Sequence, residues 1–293
     1  MSRSRTSLVG LTFGLAFLAS TPAFDTGCGT TGSRRYAFQA SAAGIERDAS
    51  APFVFENARG WTITLTKANV TIGPIYLNVA PAIAGTTAWW HKAPLGIRSA
   101  KADDSHLADG RQVGEVLARL TVDALSPSLV PFAGAGTVVE EQVRTTEIWL
   151  WPPPQITPET VKIDDPTLDV AGEATRGADR VRFRGTLVLD EAWTTDAQPG
   201  ERSAQPVSDL RKVRGVPSVF VPSEGGELRI RIDPRPLFRG AEFTNLASSP
   251  ADADGTKILV QSKSGKFTTD QVMRNLYQGL RAATGTYDVR WVP

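Results

Sequence analysis

The sequence predicts an all-β protein: a β-sandwich of many short antiparallel strands with one helix near the C-terminus. Three observations predict it. Apolar and polar residues alternate with period two in one stretch after another, the repeat of a half-buried strand. Glycine and proline, 26 and 20 of the 293 residues, are spread along the chain and punctuate those stretches. Only one segment, near the C-terminus, carries apolar residues at helical spacing.

The elements follow in order. Trp61, Ile63 and Leu65 share one face, with Thr62, Thr64 and Thr66 on the other. The apolar set then changes parity to Ala68, Val70 and Ile72, which predicts a bulge or bend near Lys67. Gly73-Pro74 ends that strand, and Ile75, Leu77 and Val79 form the next short one. Val116, Ala118, Leu120 and Val122 alternate with Leu117, Arg119, Thr121 and Asp123. Residues 137–151 read as a strand stopped by the prolines at 152–154, with Trp149 and Trp151 on one core-facing parity. Val181, Phe183, Leu187 and Leu189 oppose Arg180, Arg182 and Arg184. Leu228, Ile230 and Ile232 alternate with Arg229, Arg231 and Asp233. Tyr287, Val289 and Trp291 form the last strand. Before it, Thr268 and Gln271 have the spacing of a capping box, and Val272, Met273, Leu276, Tyr277 and Leu280 follow at helical spacing. That predicts a helix of about 15 residues, stopped by Gly285. Segments 80–112 and 192–217 read as long loops, the kind that often carries function.

The N-terminus reads as an address. Arg3 and Arg5 precede an apolar run over 8–19, the layout of a secretory signal. The run is shorter than the roughly 20 apolar residues a membrane span needs. Two exits are open. One is cleavage after Ala23, behind Thr21-Pro22, giving a signal peptide of 1–23. The other is lipoprotein processing, in which 1–27 is removed and Cys28, behind Gly27, becomes the acylated first residue. Asp25 departs from the lipoprotein pattern, where that position is normally apolar. Cys28 is the single cysteine, so no intramolecular disulfide is possible, and a lone thiol in an oxidising compartment is a liability. Residues 24–34 form a flexible tether and 35–293 one composite sandwich domain, with a possible subdivision near 152–158.

Net charge is +1, the excess of two arginines in the leader, and the rest is near neutral. Nucleic acid is therefore not an expected partner. The expected partner is a membrane, through a lipid on Cys28, and the expected place is the cell envelope (periplasm or outer membrane) or the exterior.

Three stretches, Phe53-Val54-Phe55-Glu56-Asn57, Gly60-Trp61-Thr62-Ile63-Thr64-Leu65 and Gly73-Pro74-Ile75-Tyr76-Leu77, resemble a group of uncharacterised bacterial envelope proteins, many of them apparent lipoproteins. The resemblance continues through Gly114-Glu115-Val116-Leu117 and Ile232-Asp233-Pro234-Arg235. It implies a β-rich exported protein. Members often carry a His-rich loop before the Gly-Glu pair, which implies a metal; here that loop keeps only His106.

The candidate chemistry is sparse. The two histidines, His91 and His106, lie in segment 80–112 with Asp103, Asp104 and Asp109, a mixed nitrogen and oxygen set suited to zinc or copper. The competing reading is two solvated histidines among turn-forming aspartates. Trp89-Trp90 beside His91 suggests a stacking platform for sugar, of a binding module or hydrolase, against the alternative of a core plug. Asp252-Ala253-Asp254-Gly255 resembles part of a calcium loop or, more simply, an Asp-Gly turn. Arg180, Arg182, Arg184, Arg229 and Arg231 form either a basic patch or cross-strand ion pairs with interspersed acids. No G-x-S-x-G, HExxH, P-loop or Rossmann pattern occurs. The sequence therefore predicts a non-enzymatic envelope protein, with metal binding and carbohydrate binding or hydrolysis as alternatives.

Overall fold

The computed structural model describes residues 34–80, 111–150, 166–189, 211–244, 246, 250–260 and 271–293. Among them fourteen strands join into one connected sheet, and the protein is all-β as expected. The strands are β1 (Arg35–Gly44), β2 (Phe53–Glu56), β3 (Thr62–Asn78), β4 (Gln112–Val116), β5 (Leu120–Asp123), β6 (Val130–Pro131) and β7 (Gly136–Val139). They continue as β8 (Val143–Leu150), β9 (Leu168–Arg176), β10 (Asp179–Leu187), β11 (Lys212–Phe220), β12 (Glu227–Ile232), β13 (Lys257–Leu259) and β14 (Tyr287–Val292). One α-helix, α1 (Gln271–Leu280), precedes β14.

β3 is the organising strand. It runs for 17 residues. One edge carries β2, β5 and β4 in turn; the other carries β9 and then β8. Two irregularities allow one strand to serve five partners. At the first, Leu65 faces Gly172 and Lys67 faces Ala171, so Thr66 is the extra residue of a bulge. Thr66 and Lys67 are both exposed, and the buried set moves from Ile63 and Leu65 to Ala68, Val70 and Ile72. This is the parity change the sequence shows. The second irregularity, between Ile72 and Ile75, returns the buried set to Ile75 and Leu77.

Gly73-Pro74 therefore does not end the strand, as the sequence suggests, but bends it. A proline is tolerated inside a strand where the ladder is already broken by a bulge. Glycine is required before it: φ is +117°, and a Cβ would lie 2.3 Å from the Ala118 carbonyl oxygen.

Other expectations are corrected. β1–β12 and β10–β13 are parallel pairs, so the sheet is mixed. These strands are far apart in sequence, and no tight hairpin imposes an antiparallel turn on them. Residues 137–151 are two strands, β7 and β8, separated at Glu140–Gln142; Trp149 is buried, and Trp151 lies outside the described residues. The alternation over 116–122 likewise spans two strands, β4 and β5, with Leu117 exposed between them. The predicted loop 192–217 is strand from Lys212 onward.

From β3 the ladders run β3-β4-β7-β1-β12-β14 in one direction and β3-β8-β11 in the other. The two ends meet, because β11 lies against β14 and Phe220 stacks on Trp291 at 5.7 Å between ring centroids. β9, β10 and β13 extend the sheet beyond this ring of strands.

α1 buries Val272, Met273, Leu276, Tyr277, Gly279 and Leu280 against a 3-10 turn at Arg235–Phe238. The fit leaves no room at Gly279, where a Cβ would sit 2.5 Å from the Leu237 Cα. The expected capping residue Thr268 lies outside the described residues. Gln271 instead ties the helix to the chain after the 3-10 turn: its Nε2 donates to the Gly240 carbonyl and its Oε1 accepts from the Glu242 amide, both at 2.8 Å.

Asn57 fixes the same corner from the other side. Its Nδ2 donates to the Phe238 and Ala241 carbonyls at 3.1 and 2.8 Å, and its Oδ1 accepts from the Arg59 and Trp61 amides. This buried amide joins the β2–β3 turn to the segment after β12. Replacing Asn57 with alanine strands buried donors and acceptors, each of which costs about 1–3 kcal/mol. Urea unfolding of Asn57→Ala is expected to show a loss of roughly 2–4 kcal/mol. Asn57→Asp, which keeps the acceptor and loses the donor, is also expected to be destabilised.

Candidate functional site

On β9 and β10, Arg180 pairs with Glu173 at 2.7 Å, Arg184 with Asp252 at 2.9 Å and Arg182 with Asp254 at 3.5 Å. On β12, Arg229 pairs with Glu227 at 2.7 Å and Arg231 with Glu46 at 3.5 Å. β10 and β12 are not neighbours, so the five arginines form no common patch. The ion-pair reading is the one the geometry supports.

Asp252–Gly255 is a tight turn. The Gly255 amide donates to the Asp252 carbonyl, the Asp252 amide to the Thr256 carbonyl, and Asp254 accepts from the Thr256 amide and hydroxyl. Its carboxylates pair with Arg182 and Arg184.

A denser network surrounds Glu242. It accepts from the Trp61 indole at 2.8 Å, from the Thr244 hydroxyl and amide, and from Arg176 at 3.2 Å, while the Arg176 guanidinium lies 4.4 Å from the centroid of the Trp61 ring. The Thr244 hydroxyl is the largest cause, ahead of the Thr244 amide, Trp61 and Arg176, in holding this carboxyl down at about 2, against its ordinary 4.5. Trp61 is fully buried, while Glu242 and Arg176 keep part of their side chains open to solvent and Thr244 is exposed. The network is a structural clamp beside Asn57.

A buried carboxylate, Glu147 on β8, accepts from the Trp149 indole at 2.5 Å and lies 3.5 Å from the Arg214 Nε. Tyr76 is its direct neighbour on β3, with Glu115 beyond on β4. The Tyr76 hydroxyl is held above its ordinary value, mainly by burial and secondarily by these two carboxylates. Lys212 caps the Trp149 ring at 4.6 Å.

An open groove of about 360 Å³ lies over β12 and β14. Arg229, Arg231 and Arg290 line it together with Glu46, Asp233 and Asp288. Arg231 is pinned as the floor, donating to the Gly44 and Pro127 carbonyls at 3.0 and 2.5 Å. Arg229 and Arg290 stand directly opposite each other on the antiparallel pair.

No family model matches the chain. Neither the curated proteins nor the solved structures contain a match.

The sites singled out in the sequence, Cys28, Trp89, Trp90, His91, Asp103, Asp104, His106 and Asp109, all lie outside the described residues. The described chain shows where the segment bearing seven of them leaves and returns: the Val79 amide donates to the Arg111 carbonyl at 3.1 Å. Among the described residues no cluster of three histidine, cysteine or acidic side chains has the arrangement of a metal site. The groove residues Glu46, Asp288 and Arg290 were not singled out by sequence. The alternation of charge in Leu228–Ile232 and in Tyr287–Val292 is visible there, but which residues face each other across β12 and β14 is not.

Two expectations follow. Exposed ion pairs contribute little, so glutamine at Arg180, Arg182 or Arg184 is expected to shift unfolding free energy by less than about 1 kcal/mol each. The folded carboxyl of Glu242 sits below its unfolded value. Its contribution is therefore fully present above 4.5 and is lost as pH falls through about 2. In an acid-unfolding series, Glu242→Gln is expected to be less stable near neutrality and to lose part of the decline with acid that the parent shows between those values.

Proposed function

We propose that this chain is an exported bacterial envelope protein, held at a membrane surface by a lipid on Cys28, whose β-structured body has a binding or structural role. The observation that carries the reading is the division of the chain. Contacts separate Met1–Gly32 from Ser33–Pro293, at the end of the leader and glycine-containing tether that the sequence marks out. The Arg34 carbonyl already accepts from the Glu140 amide, and β1 begins at Arg35. About seven residues separate Cys28 from β1, and a fully extended chain of that length reaches at most ~25 Å. An acylated Cys28 would thus hold the body within one domain's width of the bilayer. The absence of an internal partner cysteine for Cys28 agrees with an anchoring role.

The test is the intact mass of the mature protein made in a secreting bacterium, together with fractionation of the cells. The expected mature chain begins at Cys28, carries a lipid adduct and sediments with membranes. Cys28→Ala is expected to lose the adduct and the membrane association. A mature chain that begins after Ala23 with an unmodified thiol would refute anchoring and leave a secreted or periplasmic protein.

A further inference from the structure

We infer that the groove over β12 and β14 is an oxyanion site in which Arg229 and Arg290 grip one phosphate or carboxylate group between them. This stands on the described β body alone and does not depend on whether Cys28 is acylated.

The first observation is an unfavourable pairing. Arg229 and Arg290 are direct cross-strand partners, and their neighbours put them on the same solvent-facing side of the pair, since Leu228, Ile230 and Val289 fill the buried one. Side chains directly opposite on an antiparallel pair start from Cβ atoms about 4.5–5.5 Å apart, and like charges so placed destabilise the sheet. An anion between them turns that repulsion into two attractions.

The second observation is unused donor capacity. Arg229 spends its Nε on Glu227 at 2.7 Å. Arg290 spends Nε and one Nη on Asp288, at 3.1 and 2.6 Å. A guanidinium has five N–H donors in a fixed fork. Both forks therefore keep N–H groups that no described residue accepts, and both line the same groove.

The third observation is that the acidic groups around the groove are already engaged. Asp233 accepts from Arg235 through both oxygens. Glu227 accepts from the Ser41 hydroxyl at 2.5 Å and from Arg229, and both together hold its carboxyl below the ordinary range against the opposing effect of burial. Asp288 is bound to Arg290. Glu46, the most exposed, lies against Arg231 at 3.5 Å. The carboxylates fix the guanidiniums in place and are poorly placed to receive a cation. Arg231, pinned by two carbonyls, supplies a third positive charge beneath the two forks.

The ligand follows from this geometry. Two forks carried on directly opposite residues and lining one groove match an anion with several acceptor oxygens, which each fork meets with charge-assisted hydrogen bonds. No aromatic side chain lines the groove to stack on a sugar or a base. Charges of both signs line it in equal number, so recognition rests on local geometry rather than on a long-range field. The oxyanion has two sources with the same chemistry: a soluble phosphate or carboxylate, or the phosphodiester of an anionic lipid headgroup.

The experiment follows the arginine Nε–Hε resonances of the isotope-labelled protein during titration with inorganic phosphate at constant ionic strength. The Arg229 and Arg290 signals are expected to move along one saturable curve while those of Arg180, Arg182 and Arg184 stay put. Arg229→Gln and Arg290→Gln are each expected to weaken the fitted affinity at least fivefold. Asp288→Asn, which frees more of the Arg290 fork, is expected to tighten it at least twofold. This opposite-sign variant separates a site from general damage. Uniform, non-saturating shifts at all arginines, or a curve unchanged in both glutamine variants, would overturn the assignment. Co-sedimentation with phosphatidylglycerol vesicles, compared with phosphatidylcholine vesicles, then separates the sources. Binding that Arg290→Gln abolishes assigns a lipid headgroup. Saturation by phosphate without vesicle binding assigns a soluble oxyanion.

Discussion

The fold hangs on the ability of β3 to change phase twice without ending. A strand that kept strict period two over 17 residues would present one face throughout. β3 instead carries the extra Thr66 and the bend at Gly73-Pro74, and each resets which side chains point inward. The first third of the strand therefore contributes Ile63 and Leu65 to a core shared with Phe183, Phe238 and Phe243. The last third contributes Ile75 and Leu77 to the part closed by β4, β8 and their neighbours. The close approach of Gly73 to the Ala118 carbonyl makes the bend compatible with β4 and β5 lying end to end along one edge.

Polar side chains lock the seams that this arrangement creates. The corner where the β2–β3 turn, the 3-10 turn and α1 converge is closed by two amides, Asn57 and Gln271, and by one carboxylate, Glu242. Asn57, the buried one, has both its donors and its acceptor met by backbone, the condition under which buried polar groups specify a structure rather than weaken it. Three of the stretches on which the expected resemblance rests, Phe53–Asn57, Gly60–Leu65 and Ile232–Arg235, meet at or beside this corner. Such residues describe how a body is built, which explains why they say little about what it binds.

Strands with bulky alternation were legible: β10, β12 and β14 lie where Phe183, Ile230 and Val289 predict them, and α1 lies where Leu276 and Tyr277 do. β1 was not, because Ala40, Ser41, Ala42 and Ala43 are small on both faces and take their burial from neighbours. β11 was hidden by Gly215 and Pro217, which a strand accepts only with the register shifts seen against β8. Parallel pairing of β1 with β12 had no local signal, since no turn connects them. The same limit applies to the groove. Arg229 and Arg290 are each readable as an outward arginine, and only the ladder between β12 and β14 makes them opposite numbers.

The position of β1 has a mechanical consequence. The first strand of the body is an interior one, laddered to β7 and β6 on one side and to β12 on the other. Tension entering at Arg34 runs along the strand axis, across the direction of its hydrogen bonds. The bonds on both flanks then share the load in parallel, as in a shear joint, instead of opening one after another like a zip. A body pulled from Arg34 is thus held by a strand that is paired on both sides.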